Sequence, residues 1–323
     1  MRFVILDIYL RWYELALRAT NFEVYGSPRK DLFQNLILSG MGGSGIVCDM
    51  IYSVLYSSSE IPVTIVKDFQ IPRWTSKNSL LCAISYSGNT LETLNTVSKA
   101  LEVGAEVCIV TSGGKLLELA RVRGLPHVVV DSGLIPRAAF PQLLIATLKL
   151  LSTYGINLCS DLRSLTNILR DVDSVSKISK ELAEFLKNSL PVIISNTRFY
   201  PLAMRFKDEF NENSKMMAKV EVIPEWAHND IVGWEKPVNL DLIRALVLWD
   251  DDPVIEFAVN YLKELEVKVR VLKSLGDDLL SKILYGSHVA GLTSTYIAEL
   301  RGLKAEETKS IEKYKNFLRS LSS

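Results

Sequence analysis

Gly40-Met41-Gly42-Gly43-Ser44-Gly45 follows the apolar run Leu36-Ile37-Leu38 and leads into a helical pattern from Ile46 to Tyr56. It therefore reads as a turn from a strand into a helix. A second loop, Ser85-Tyr86-Ser87-Gly88-Asn89-Thr90, stands in the same relation to the apolar run from Leu80 to Ile84 and to a helical pattern from Leu91 to Leu101. In a parallel sheet the strands end on one side, and ligands collect outside their carboxyl ends, where helix N-termini present free N–H groups. Both loops are thus expected to face one cleft. Glycines let the backbone approach a ligand, and serine and threonine hydroxyls add neutral donors for phosphate oxygens. Neither loop has the G-x-G-x-x-G spacing of a dinucleotide site or the Gly-Lys-Ser/Thr ending of a P-loop, so the pattern favours a small phosphorylated molecule over a nucleotide.

The rest of the composition is consistent with such a ligand. With 323 residues, 48% of them hydrophobic, the chain can bury a full core in one large or two medium domains. Lys+Arg and Asp+Glu both number 37, so no net field draws in nucleic acid or an anionic membrane, and neither partner is expected. Arg2, Asp7, Arg11 and Glu14 interrupt the apolar residues of the N-terminal stretch, and no apolar run is long enough to span a bilayer. A cytoplasmic protein is expected. Cys48, Cys82, Cys108 and Cys159 stand singly in mostly apolar surroundings, which suits buried, reduced thiols. His127, His228 and His288 are far apart in sequence, and no metal cluster is expected.

Outward from the two loops, strand and helix patterns alternate. An opening amphipathic helix from Ile8 to Leu17 comes first. Strands then fit 36–39, 63–66, 80–84, 106–110 and 127–130, with helices at 46–56, 91–101, 115–122 and 140–151. Such alternation implies a doubly wound parallel sheet. From 159 to 187 apolar residues recur at three and four without Gly or Pro, as in one long helix. Strands at 191–195, 218–223, 243–249 and 267–271, with helices at 202–211, 254–265 and 279–297, then repeat the first order, and a last helix covers 306–321. The fold expected is α/β, two flavodoxin-like three-layer αβα units in tandem: 1–155, a connecting helix over 156–190, and 191–323. Where the first unit has its loops, the second has Ser195-Asn196-Thr197-Arg198 and Asp250-Asp251-Asp252-Pro253. Carboxylates repel a phosphate, so one anion site per chain is expected.

The two loops, the duplication, Pro136-Arg137-Ala138-Ala139, Asn211-Glu212-Asn213-Ser214-Lys215, His228-Asn229 and Ile311-Glu312-Lys313-Tyr314-Lys315 together resemble the sugar isomerase (SIS) family, in particular its archaeal-type bifunctional phosphoglucose/phosphomannose isomerases. The resemblance covers nearly the whole chain. It implies an aldose-ketose isomerase that needs no cofactor and acts on a sugar phosphate through a cis-enediol. By the same resemblance Gly43, Ser44, Ser85, Ser87 and Thr90 bind the substrate phosphate, Glu212 is the base, and Arg137 stands beside the intermediate. His228 and Lys315 open the sugar ring, and Thr308 goes with acceptance of mannose 6-phosphate. The turn before Thr308 reads Glu306-Glu307 where this branch suggests Asp-Pro, and Trp226-Ala227 precede His228 in place of small polar residues. The resemblance also implies a homodimer, with His228 supplied to the active site by the other subunit.

Spacing alone does not single out these residues. Asp208, Glu209 and Glu212 form an acidic cluster on one helix, each read as a solvated carboxylate, and only the Asn211-Glu212-Asn213 context marks Glu212. Arg137 could cap the following helix, Lys315 could be an exposed helix lysine, and His127 and His288 read as structural. The rival functions are a non-catalytic sugar-phosphate-binding regulator and an amino-sugar-phosphate enzyme of the same fold.

Overall fold

The computed structural model describes residues 5–29 and 32–321. The chain opens with α1 (Ile5–Leu10) and α2 (Trp12–Ala19), where a single helix was expected, and a short strand β1 (Val24–Tyr25). The alternation then follows: β2 (Asn35–Ser39), α3 (Gly42–Leu55), β3 (Val63–Val66), β4 (Ser79–Ile84), α4 (Leu91–Glu102), β5 (Glu106–Thr111), α5 (Gly114–Arg123), β6 (His127–Val129) and α6 (Phe140–Ser152). Five strands run β3-β2-β4-β5-β6 in parallel, and β1 adds an antiparallel edge on β6. Counted from β2, this is the 2-1-3-4-5 order of flavodoxin-like sheets.

The stretch expected as one long helix is divided. It forms α7 (Leu162–Thr166), a 3-10 turn (Asn167–Leu169) and α8 (Val172–Leu186). The reason is local: Asp161 accepts the Arg163 and Ser164 N–H groups, and Asp171 accepts Ser174 N–H. Each aspartate caps a new helix start, and apolar periodicity carries no signal of either.

A second parallel sheet follows, built from β7 (Leu190–Asn196), α9 (Tyr200–Glu212), β8 (Lys219–Ile223), β9 (Ile243–Trp249), α10 (Pro253–Glu264) and β10 (Lys268–Lys273). Its order, β8-β7-β9-β10, repeats the first four strands of the larger sheet. Short 3-10 turns over 225–228 and 230–234 connect β8 toward β9, and α11 (Leu279–Leu300) and α12 (Lys309–Leu321) complete the chain.

Successive strand residues point to opposite faces, and the apolar clusters sort accordingly. Ile37, Leu81, Ala83, Val107 and Ile109 pack on one face of the first sheet with α4 and α5 residues such as Val97 and Leu116. Val192, Ile194, Ala245 and Val247 pack on one face of the second with α10 and with Trp226 and Trp234. The remaining faces, Leu36, Leu38, Leu80 and Cys82 from one sheet and Ile193, Leu246 and Leu248 from the other, share a single large core with the helices between them. Cys48, Cys82 and Cys108 are buried free thiols, whereas Cys159 is only partly covered. No helix among the described residues is long and apolar enough to cross a membrane.

Candidate active site

The order of the first sheet reverses between β2 and β4, so the helices that follow them, α3 and α4, leave toward opposite faces. The crevice this opens lies where the two glycine-containing loops emerge, as expected for a doubly wound sheet. The loops touch: Tyr86 N–H donates to Ser44 Oγ at 3.1 Å. Within the second loop Ser85 Oγ donates to Thr90 Oγ1 at 3.1 Å, and Asn89 N–H to Ser87 Oγ at 3.3 Å. Ser44 and Ser85 are buried, Ser87 is exposed and Thr90 is half-buried. Two glycines are required by geometry. Gly88 has φ +65°, and a Cβ there would lie 1.8 Å from the Gly113 carbonyl oxygen; a Cβ on Gly43 would lie 2.9 Å from Arg137 Cα. Helix α3 begins at Gly42, inside the glycine loop rather than after it, which brings the N-terminal turn of the helix to the crevice.

Arg137 sits in the turn that leads into α6, against Gly43. Its guanidinium is held from three sides: Nε donates to Asn213 Oδ1 at 2.7 Å, Nη1 to Glu212 Oε2 at 3.2 Å and Nη2 to the Ala305 carbonyl at 2.8 Å. Glu212 closes α9, and Asp208 and Glu209 lie one turn back on the same helix face. A narrow cleft is lined by Gly42, Gly43 and Ile46 on one side and by Arg137, Arg205, Asp208, Glu209 and Glu212 on the other. The glycine loop and the carboxylate thus line one cleft, although they come from different halves of the chain.

Burial raises the Glu212 pKa above the ordinary carboxylate value, opposed by Arg137. Asp208 is raised for the same reason, with Lys207 the first opposing charge. The reading of Asp208 and Glu209 as solvated carboxylates fails at Glu209, which is 1% exposed. It is ion-paired to Arg205 and accepts the Tyr9 hydroxyl at 2.7 Å. Arg205 also donates to the Arg137 carbonyl at 2.7 Å.

Sequence reasoning missed Arg205, Glu209 and Tyr9 as supports of this site. The spacing of Arg205, Glu209 and Asn213, four residues apart on one helix, is a signal that could have found the first two; for Tyr9 the sequence offers none. Lys215 was also passed over. It has φ +54° and its ammonium donates to the carbonyls of Glu212, Asn213, Lys304 and Ala305. It thereby ties the end of α9 to the segment that leads into α12.

Thr308 stands three residues beyond Ala305, half-buried, and its carbonyl accepts the Ile311 and Glu312 N–H groups of the first turn of α12. Lys315 is exposed on α12. His228 is exposed in the 3-10 turn after β8. Glu212 precedes β8 and His228 follows it, so this strand separates them in the chain, and among the described residues no hydrogen bond joins His228 to Glu212 or Arg137. His127 and His288 are structural, as expected. His127 lies against the Leu125 carbonyl and stacks on Tyr25. His288 Nε2 lies 2.8 Å from the Tyr9 carbonyl, and burial pushes its pKa down to about 4.

The equivalent crevice of the second sheet is filled from within. Asp250 takes Arg198 at 2.5 Å, Lys282 at 3.5 Å and Asn196 Nδ2 at 3.0 Å, while Asp252 caps α10 through Val254 N–H.

A family model described as the bacterial phospho-glucose isomerase C-terminal SIS domain matches residues 176–318. Several curated relatives are named bifunctional phosphoglucose/phosphomannose isomerase. The one from Pyrobaculum aerophilum is 34% identical, covering 97% of this chain and 99% of its own. A D-glucosamine-6-phosphate 4-epimerase from Sulfolobus acidocaldarius is 28% identical over 95% of each chain. Among solved structures, hypothetical protein TT0462 from Thermus thermophilus superposes with a TM-score of 0.77 at 15% identity, covering 99% of this chain and 91% of that one, which shows the fold. Identity above three residues in ten along almost the whole of both chains settles the lineage: this chain belongs to the bifunctional phosphoglucose/phosphomannose isomerase family of SIS proteins.

Proposed function

We propose that this chain interconverts glucose 6-phosphate, and also mannose 6-phosphate, with fructose 6-phosphate by moving a proton between C1 and C2 through a cis-enediol. The observation that carries this reading is the partly buried Glu212 carboxylate against the Arg137 guanidinium, across a cleft from the Gly42-Gly43 helix start. Aldose-ketose isomerisation requires one group that takes a proton from one carbon and returns it to its neighbour, and a carboxylate with a raised pKa suits both halves of that step. As the proton leaves C2, negative charge grows on the enediolate oxygens. Arg137, already fixed by Asn213 and Ala305, offsets that charge without having to reorganise. The chemistry requires no metal and no redox cofactor.

The phosphate would lie at the crevice mouth, among the backbone of Gly43 and the hydroxyls of Ser44, Ser85, Ser87 and Thr90. In this reading the 1–155 unit supplies the phosphate loops and Arg137, the 191–323 unit supplies the base, and 156–190 joins them. His228 and Lys315 would open the sugar ring, and Thr308, close to the Ala305 contact of Arg137, would act on the C2 side that distinguishes mannose from glucose. The placement of His228 beyond β8 from Glu212 supports its service in the site of a second subunit, and so a homodimer. The exposed apolar residues Ile311, Tyr314 and Phe317 along α12 are in keeping with a covering partner. The enzyme would work in the cytoplasm.

The test is an assay with EDTA present, following fructose 6-phosphate formed from glucose 6-phosphate and, separately, from mannose 6-phosphate. Turnover of both is expected. Turnover of glucose 6-phosphate alone would remove the role given to Thr308. Turnover of neither, with conversion of glucosamine 6-phosphate, would move the chain to the amino-sugar branch; binding without any turnover would make it a sugar-phosphate-responsive regulator.

A further inference from the structure

The buried side of Arg137 carries more information than its contact with Glu212. Asn213 is fully buried. Its Oδ1 accepts Arg137 Nε at 2.7 Å, and its Nδ2 is surrounded by three acceptors: Glu209 Oε2 at 2.6 Å, Ser294 Oγ at 2.8 Å and Tyr9 Oη at 3.3 Å. Both hydroxyls point their protons elsewhere, Tyr9 to Glu209 Oε2 and Ser294 to the Gly291 carbonyl, so each can only accept from Asn213. Glu209 as a carboxylate only accepts, and the Arg137 Nε–H only donates. A flipped amide would set oxygen against carboxylate and nitrogen against guanidinium. One orientation of Asn213 is therefore allowed, and it presents its oxygen to Arg137.

We propose that Asn213 is a positioning residue for the isomerisation: locked by Glu209, Ser294 and Tyr9, it fixes the plane of the Arg137 guanidinium so that Nη1 meets the Glu212 carboxylate. The inference rests on the function proposed above. It assigns a purpose to the buried Arg205–Glu209 pair, whose carboxylate anchors the amide. Outer-shell partners that orient metal ligands change activity by about ten- to a hundredfold when removed, and an effect on the order of tenfold is expected for this guanidinium.

The experiment compares Asn213→Ala and Arg137→Lys with the wild type in thermal melts, in kcat and KM across pH, and in the titration of the Glu212 carboxyl by 13C NMR, with Glu212→Gln identifying the resonance. For Asn213→Ala the expected result is a folded protein with KM changed by no more than about twofold, kcat lowered roughly tenfold or more, and a Glu212 midpoint moved to higher pH. Arg137→Lys keeps the charge but lacks the fork that meets Asn213, Glu212 and Ala305 together, so the same direction is expected. If Asn213→Ala does not fold, Arg137→Lys decides. A folded variant of either kind with wild-type kcat and an unmoved Glu212 midpoint overturns the proposal. Absence of isomerase turnover in the wild type would instead remove the function reading, and the NMR titration would still report on Asn213.

Discussion

At Glu212 burial and Arg137 pull the carboxyl in opposite directions, and burial is the larger effect. The folded pKa lies above the ordinary carboxylate value, so the ionised carboxylate appears only as pH rises through that higher value. The acidic limb of kcat/KM is accordingly expected above the usual carboxylate range. Replacing Arg137 with Met removes the largest influence that lowers this pKa, so the limb should move further toward high pH while kcat falls; a pH profile of the two proteins checks both. An unmoved limb would mean that another group titrates. From sequence, Glu212 was legible only through its Asn211-Glu212-Asn213 setting. Its neighbour Glu209 was misread because the i, i+4 spacing to Arg205 was not weighed and its other partner, Tyr9, lies 200 positions away.

At the level of elements, what the sequence showed and what it hid divide along a physical line. Strands with β-branched and leucine-rich runs were placed to within a residue or two, and β9 and β3 match their expected limits, because apolar runs bounded by turn residues are a local signal. Helix starts fixed by a side-chain cap or by an unusual loop were less visible. The start of α3 at Gly42 was expected later, and the break before α8 depends on Asp171. Asp171→Ala should lower stability with little effect on turnover, measurable by denaturant titration. Gly88→Ala should behave differently: with a positive φ and a backbone oxygen 1.8 Å from the new Cβ, it should cost roughly 2 kcal/mol or more and weaken phosphate-dependent binding. Wild-type stability for Gly88→Ala would mean that the second loop is not held in this conformation.

Across the whole molecule, the second sheet repeats the order of four strands of the first, but among the described residues its equivalent crevice is filled. In the second sheet Arg198, Lys282 and Asn196 occupy the carboxylate that lines the equivalent position. Glu212, the proposed base, arrives from α9 of the second half at the crevice of the first. Strand order was readable from the alternation of patterns, whereas this meeting of halves was implied only by the family resemblance, because it depends on a core shared by both sheets. If His228 serves a partner's site, two inactive proteins should rescue each other. In a heterodimer of Glu212→Gln and His228→Ala one site has both native residues, so random mixing should restore about a quarter of the wild-type sites. No rescue after exchange of subunits is confirmed by mass spectrometry would place His228 in its own chain's site or outside catalysis.

The central claim is that Glu212 moves the proton, and the most direct measurement compares the isomerisation of glucose 6-phosphate by the wild type and by Glu212→Gln, with binding of the sugar phosphate followed by calorimetry on the same preparations. The wild type should turn over, and Glu212→Gln should bind with similar affinity while its isomerisation is abolished. Retained turnover in Glu212→Gln would show that the proton is carried by another group and would contradict the account.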